Sequence, residues 1–201
     1  FSQKLKELTS SIEQLKRTNI MGKLEIGIVG CGKIAERHAE HISKIGTLKA
    51  VCDIKIERAE KFSEKYGSNK YDNIDEMLKS ETAFDLVAVC TPNGLHSEHT
   101  IKCLKAGSNV ICEKPMALTV RDCEMMINEA EKTNKRLFIV KQNRFNPPVE
   151  ALKKILDENK MGKIFSIQIN CFWNRCRDYY KESDWKGTKL LDGGVLFTQF
   201  S

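Results

Sequence analysis

Three short clusters hold residue types suited to chemistry. The first is Gly30-Cys31-Gly32-Lys33-Ile34-Ala35. Gly30 permits a tight turn, Gly32 lets backbone approach a pyrophosphate, and Ala35 lets a following helix pack closely. Lys33 and Ile34 would open that helix, whose free amides and positive dipole end suit a phosphate. Asp53 lies 21 residues after Gly32. A carboxylate there can accept hydrogen bonds from ribose hydroxyls and would repel a 2′-phosphate. The pattern predicts NAD rather than NADP, with Lys55 close enough to soften that preference. The alternative is a glycine turn that binds no nucleotide.

The second and third clusters are Thr91-Pro92-Asn93-Gly94-Leu95-His96 and Glu113-Lys114-Pro115. Each follows a short apolar run. In an open parallel sheet, ligands bind beyond the carboxyl ends of the strands. Lys114 can act as a base there if burial or neighbouring positive charge lowers its pKa. The plainer reading makes the prolines loop formers and Lys114 a surface lysine. Further on, Gln142 is placed to meet cofactor, and Lys141 and Arg144 to meet substrate. A hinge salt bridge is the alternative for Arg144. Arg175, Arg177 and Lys186 suit a diphosphate, and Tyr179 or Tyr180 can stack on a sugar or base. Ordinary aromatic packing would use the same residues.

The elements that must position these groups follow an alternating rule. Leu24–Val29, Leu48–Cys52, Leu86–Cys90, Asn109–Cys112 and Leu137–Val140 read as buried strands, with a short segment near Tyr71. Helices are expected over Lys33–Ile45, Ile56–Tyr66, Ile74–Leu78, His96–Ala106 and from Thr119 to about Lys132. Asp72 or Asn73 would cap the third and Thr119 the fifth. Continuous apolar strands alternating with helices predict an α/β fold with a doubly wound parallel sheet. After residue 144 the pattern changes. Pro147-Pro148 opens a helix over Val149–Leu156, and Ile164–Trp173 alternates with period two, as a half-exposed strand of a mostly antiparallel sheet does. The expected division is 1–20 as a helical extension, 21–144 as a Rossmann-type domain and 145–201 as the start of an α+β domain. Residues 1–20 repeat apolar positions at Phe1, Leu5, Leu8, Ile12 and Leu15, like a short coiled-coil seam. Met21 is either the native start behind an appended segment, or it follows a helix that docks on a partner.

Composition narrows the class. The chain has 201 residues, is 41% hydrophobic and 30% charged, and carries a net charge of +6. Disordered chains are poorer in apolar residues. No apolar run approaches the roughly 18 residues of a membrane span, and no secretory signal is evident. The 33 basic and 27 acidic residues are interleaved, so no nucleic-acid surface is expected. Eight cysteines without a Cys-x-x-Cys pair point to free thiols in a reducing cytoplasm. The His38/His41 and His96/His99 pairs lack a third ligand at matching spacing, so no metal is expected.

Taken together, Gly30-x-Gly32-x-x-Ala35, Thr91-Pro92-Asn93-x-x-His96 and Glu113-Lys114-Pro115 resemble the Gfo/Idh/MocA oxidoreductase family over residues 24–201. The Glu-Lys-Pro element, about 80 residues after the glycine turn, is the most specific piece. The resemblance implies a sugar dehydrogenase using NAD, with Lys114 between nicotinamide and substrate and Asn93 and His96 lining nicotinamide and ribose. The stretch Ser183-Asp184-Trp185-Lys186-Gly187-Thr188 with Asp192-Gly193-Gly194 looks like the substrate loop of members acting on nucleotide-activated amino sugars. An inositol or aldose dehydrogenase, and a dinucleotide-binding regulator without catalysis, are the alternatives. Gly193 to Ser201 is similar to the family's segment before its catalytic histidine. Thr198 stands where many members have aspartate, and Phe200 where others have glycine. The same likeness implies that the chain stops within the second domain, and that the full-length protein is a homo-oligomer.

Overall fold

The computed structural model describes residues 23–81, 83–181 and 183–200; the helix expected over 1–20 lies outside them. Six strands, β1 (Leu24–Val29), β2 (Gly46–Cys52), β3 (Asn69–Tyr71), β4 (Leu86–Val89), β5 (Asn109–Cys112) and β6 (Leu137–Ile139), form one sheet in the order β3-β2-β1-β4-β5-β6. Every pairing is parallel. The chain runs outward from β1 to β3, then returns to place β4 on the other side of β1. That reversal opens a crevice between the carboxyl ends of β1 and β4, where loops diverge to opposite faces.

Both faces are covered, which is why the strands read as unbroken apolar runs. Helices α1 (Lys33–Ile45) and α2 (Ile56–Tyr66) cover one face. There Ala35, Ala39, Ile42, Ala59 and Phe62 meet Ile26, Ile28, Val51 and Ala88. Helices α3 (Ile74–Ser80), α4 (His96–Lys105) and α5 (Val120–Lys132) cover the other. Their Met77, Leu104 and Met126 pack on Val29, Ala50, Val87, Val89 and Val110. The expected caps form: Asn73 Oδ1 accepts from the Asp75 amide at 2.8 Å, and Thr119 Oγ1 from the Asp122 amide at 3.1 Å. Each satisfies a donor that the first helical turn leaves open, worth about 1 kcal/mol.

Beyond β6 come α6 (Pro147–Asp157, with proline at its first turn), α7 (Arg177–Lys181) and α8 (Val195–Phe200). The short helices α7 and α8 were not expected. The strand expected over 164–173 is not formed among the described residues. The alternation is real, but Phe165, Ile167 and Ile169 are 85%, 75% and 84% exposed. A strand needs a neighbour's N–H and C=O groups, and no described segment lies alongside to supply them.

The core makes a direct test possible. Met126 is fully buried, so Met126→Ala should cost about 2–5 kcal/mol through lost packing and a residual cavity. Ile54 is 87% exposed, and Ile54→Ser should stay within about 0.5 kcal/mol. Urea unfolding of both variants measures the contrast.

Candidate active site

The glycine turn joins β1 to α1. Gly30 has φ +91°, and a Cβ on it would lie 2.8 Å from the backbone of Cys90 and Thr91. Only glycine fits both the left-handed backbone and this approach to the end of β4. Its amide donates to the Cys52 carbonyl at 2.7 Å, tying the turn to β2 as well. Gly32 differs: a Cβ there would meet nothing within 4 Å. It is the N-cap of α1 and offers no side-chain acceptor, unlike Asn73 and Thr119. The space beside Gly32 at the N-terminus of α1 is therefore open, and a side chain there would fill it. That cradle suits a pyrophosphate.

Asp53, at the end of β2, is buried and uses both carboxylate oxygens. Oδ2 accepts from the Cys31 amide at 2.8 Å and Oδ1 from the Lys55 amide at 2.9 Å. It thus ties the glycine turn to the end of β2 while each oxygen keeps a second lone pair. Lys55 reaches the other way and pairs with Asp184. Burial, with the Asp53 charge second, pushes the Cys31 thiol up to about 12, so this cysteine is an inert filler.

The loops after β4 and β5 are bound to each other. His96 is 1% exposed. Its Nδ1 lies 2.7 Å from the Pro115 carbonyl and its Nε2 2.8 Å from the Thr91 carbonyl. The ring is therefore a brace between the two loops, at the place where it was expected to line nicotinamide and ribose. Thr91 also meets His99, whose Nδ1 is 3.1 Å from Thr91 Oγ1. Glu113 is buried against His38, with Oε1 2.8 Å from Nε2. The sequence offered no periodic signal for that contact, because His38 comes from the opposite side of the crevice.

Lys114 is half-buried at the carboxyl end of β5. Its Nζ donates to the Thr198 carbonyl within α8. Burial lowers its pKa most, Lys141 and Arg175 lower it further, and Glu113 and Asp192 oppose them. Asn93 is buried too. Its amide donates to the Asp192 carbonyl at 2.8 Å and to Thr198 Oγ1 at 3.1 Å. The segment 187–198 thus closes against the β4 and β5 loops, and Gly94 gives its amide to the Leu191 carbonyl at 3.0 Å.

The expected substrate residues separate into two groups. Arg175, Tyr179, Tyr180 and Lys186 come together. The Arg175 guanidinium lies 4.8 Å from the Trp173 ring centre and 4.6 Å from that of Tyr179. Lys186 Nζ sits 3.8 Å over Tyr179, and Tyr180 meets Tyr179 edge-on at 5.1 Å. Arg175 also grips Gln199 Oε1 at 3.1 Å. Gln142 and Arg144, by contrast, are exposed on the turn at Gln142–Phe145, away from this cluster's bonds; Lys141 is exposed but close enough to act on Lys114. No group of three or more His, Cys, Asp or Glu able to hold a metal exists among the described residues.

Two expectations follow. Gly30→Ala should destabilise the chain by about 1–3 kcal/mol, from backbone strain plus a clash with fixed backbone, read as a lower urea midpoint. Burial, its largest influence, lowers the His99 pKa below its ordinary value of 6.5. The unfolded chain then binds a proton first as pH falls below about 6.5, so stability is lost on the acid side. His99→Gln should lose less stability than wild type between pH 7 and pH 5 when urea midpoints are compared.

With the geometry in place, likeness to known proteins is informative. Residues 24–141 match the model of an oxidoreductase family with an NAD-binding Rossmann fold. The chain is 37% identical to the WlbA dehydrogenase from Chromobacterium violaceum, whose structure is a complex with NADH and UDP-GlcNAcA. The match has a TM-score of 0.85 and covers 90% of this chain and 53% of that one. The myo-inositol 2-dehydrogenase structure from Lactobacillus plantarum is 28% identical, with TM-score 0.66, over 71% of this chain and 43% of that one. Glucose-6-phosphate 3-dehydrogenase of Bacillus subtilis is 33% identical over 148 residues, 73% of this chain and 41% of that protein. The chain spans about half the length of these relatives, or somewhat less. The family match covers more than half of the chain, along the same strands and glycine turn described above, and the chain belongs to the Gfo/Idh/MocA oxidoreductase family.

Proposed function

We propose that this chain carries the cofactor site and part of the substrate site of an NAD-dependent dehydrogenase acting on a nucleotide-linked sugar, with Lys114 as acid/base. One observation carries the reading. A half-buried lysine with a lowered pKa stands at the same sheet end as a glycine turn that leaves open space at a helix N-terminus. A surface lysine would have neither the burial nor the cationic neighbours.

Bound NAD would supply the hydride acceptor; the residues suited to hold it are Gly30, Gly32, Lys33 and Ile34 through backbone and Asp53 through its free lone pairs. In the oxidative direction Lys114 takes the hydroxyl proton of the substrate as the carbinol carbon gives up its hydride and becomes a carbonyl. The contact with the Thr198 carbonyl needs only one N–H, so a neutral amine can keep it and still present its lone pair. Lys141 and Arg175 favour that neutral form.

Two features support the nucleotide-linked sugar over inositol or an aldose. The likeness to the WlbA dehydrogenase extends over 90% of the chain, whereas that to the inositol enzyme covers 71%. The second is the segment holding Arg175, Tyr179 and Lys186, where a cationic and aromatic cluster suits a diphosphate and a flat ring. Residues 145–201 are read as the beginning of the substrate domain. The proposal includes a cytoplasmic location, supported by eight free thiols, and a homo-oligomer, supported by the exposed apolar row Phe165, Ile167 and Ile169. Among the described residues no helix is long and apolar enough to cross a membrane.

The test uses the full-length protein with NAD and a panel of UDP-N-acetylglucosaminuronate, myo-inositol and glucose 6-phosphate, following reduced-nicotinamide absorbance. Turnover of the nucleotide sugar alone is expected; turnover confined to inositol or the hexose phosphate would replace the substrate class. Lys114→Ala should lower kcat by about 10²–10⁴-fold while NAD affinity by titration stays near wild type. An active Lys114→Ala enzyme would remove the residue from the mechanism.

A further inference from the structure

Asp192 is the most thoroughly buried carboxylate in the site, at 3% exposure. It lies between the substrate cluster and α8, and its partners are all specific. Oδ1 accepts from the Thr198 hydroxyl and Oδ2 from the Gly187 amide at 2.9 Å. Its own carbonyl accepts from Asn93 Nδ2 at 2.8 Å. Among the described residues no basic side chain bonds to it. A buried acid costs free energy unless its oxygens are satisfied, and here a hydroxyl and an amide do so.

The hydroxyl of Thr198 has one proton and two lone pairs. It gives the proton to Asp192 and accepts from Asn93 at 3.1 Å. Thr198 is thereby gripped through its side chain while its carbonyl takes the Lys114 ammonium. The order of contacts is Asn93 to Thr198, Thr198 to Asp192, and Lys114 to the backbone of the same threonine. Three separate parts of the chain meet at one residue.

We propose that Asp192 is a positioning residue for Lys114: it locks Thr198 so that the threonine carbonyl seats the lysine amine, and it places a buried negative charge near that amine. This rests on the dehydrogenase reading above only for its kinetic readout. The groups facing Lys114 are Glu113 beside it, Lys141 after β6, Arg175 ahead of α7 and Asp192 ahead of α8. Asp192 and Glu113 hold the proton on the lysine; Lys141 and Arg175 drive it off. Removing the Asp192 charge must then make Lys114 lose its proton at lower pH.

The experiment has two independent readouts on the full-length protein. In the first, lysines are reductively methylated with a ¹³C label, and the Lys114 signal is identified by its absence in Lys114→Arg. In Asp192→Asn this signal should titrate about half a pH unit or more below wild type. In the second, the acid limb of kcat/KM against pH should move the same way in Asp192→Asn. Thr198→Val, which keeps the charge but removes the hydroxyl, should lower kcat about tenfold or more and leave the limb in place. Thr198→Ser should restore kcat. The double variant Asp192→Asn/Thr198→Val should lose less than the sum of the single losses. A Lys114 titration unmoved by Asp192→Asn, a fully active Thr198→Val, or additive losses would each overturn the proposal. A shifted Lys114 signal in a protein that turns over no sugar would uphold it and defeat the dehydrogenase reading instead.

Discussion

The organisation of the site depends on one point of contact, where Gly30 passes under the backbone of Cys90 and Thr91 with no room for a side chain. β1 and β4 are paired neighbours whose following loops must separate, one toward each face. The turn after β1 can reverse into α1 only by pressing on the end of β4. The hydrogen bond from Gly30 to Cys52 and that from the Cys31 amide to Asp53 fix the same turn against β2. The ends of three strands are thus held at one place by a residue without a Cβ and by two backbone amides.

From that point the chemistry is assembled by loops that brace one another. His96 spans the β4 and β5 loops from inside, and Glu113 reaches across to His38 on α1. The segment 191–198 then rests on these loops through Asn93, Gly94 and Lys114. Asp53 and Lys114 each stand just past the end of a strand. The precision of the site comes from buried polar contacts, which are costly to leave half-made.

Much of this was legible in the sequence because parallel strands and amphipathic helices are local patterns. Leu24–Val29, Ile56–Tyr66 and the caps at Asn73 and Thr119 need only their own neighbours to form, and Gly30 declares itself by its place between strand and helix. Three things were not legible. The role of His96 depends on the Pro115 carbonyl, 19 residues away, and nothing in the local motif separates a brace from a ligand contact. The His38–Glu113 contact spans 75 residues. The strand over 164–173 failed for a different reason: alternation specifies which side chains share a face, but a strand also needs a partner, and a partner is not a local property.

The buried cysteines have a practical side. Cys31, Cys52, Cys90, Cys103 and Cys112 lie inside the sheet layers, and burial holds their thiols in the protonated state; for Cys52 and Cys112 the pKa is pushed up to about 12. Cys171 and Cys176 alone are exposed, and they flank Arg175 and the aromatic cluster. The chain therefore carries a native pair of addressable thiols beside Arg175, a part-exposed Cys123 on α5, and a shielded set inside the sheet layers. A fluorophore or spin label can be attached beside Arg175 while the five buried thiols stay shielded.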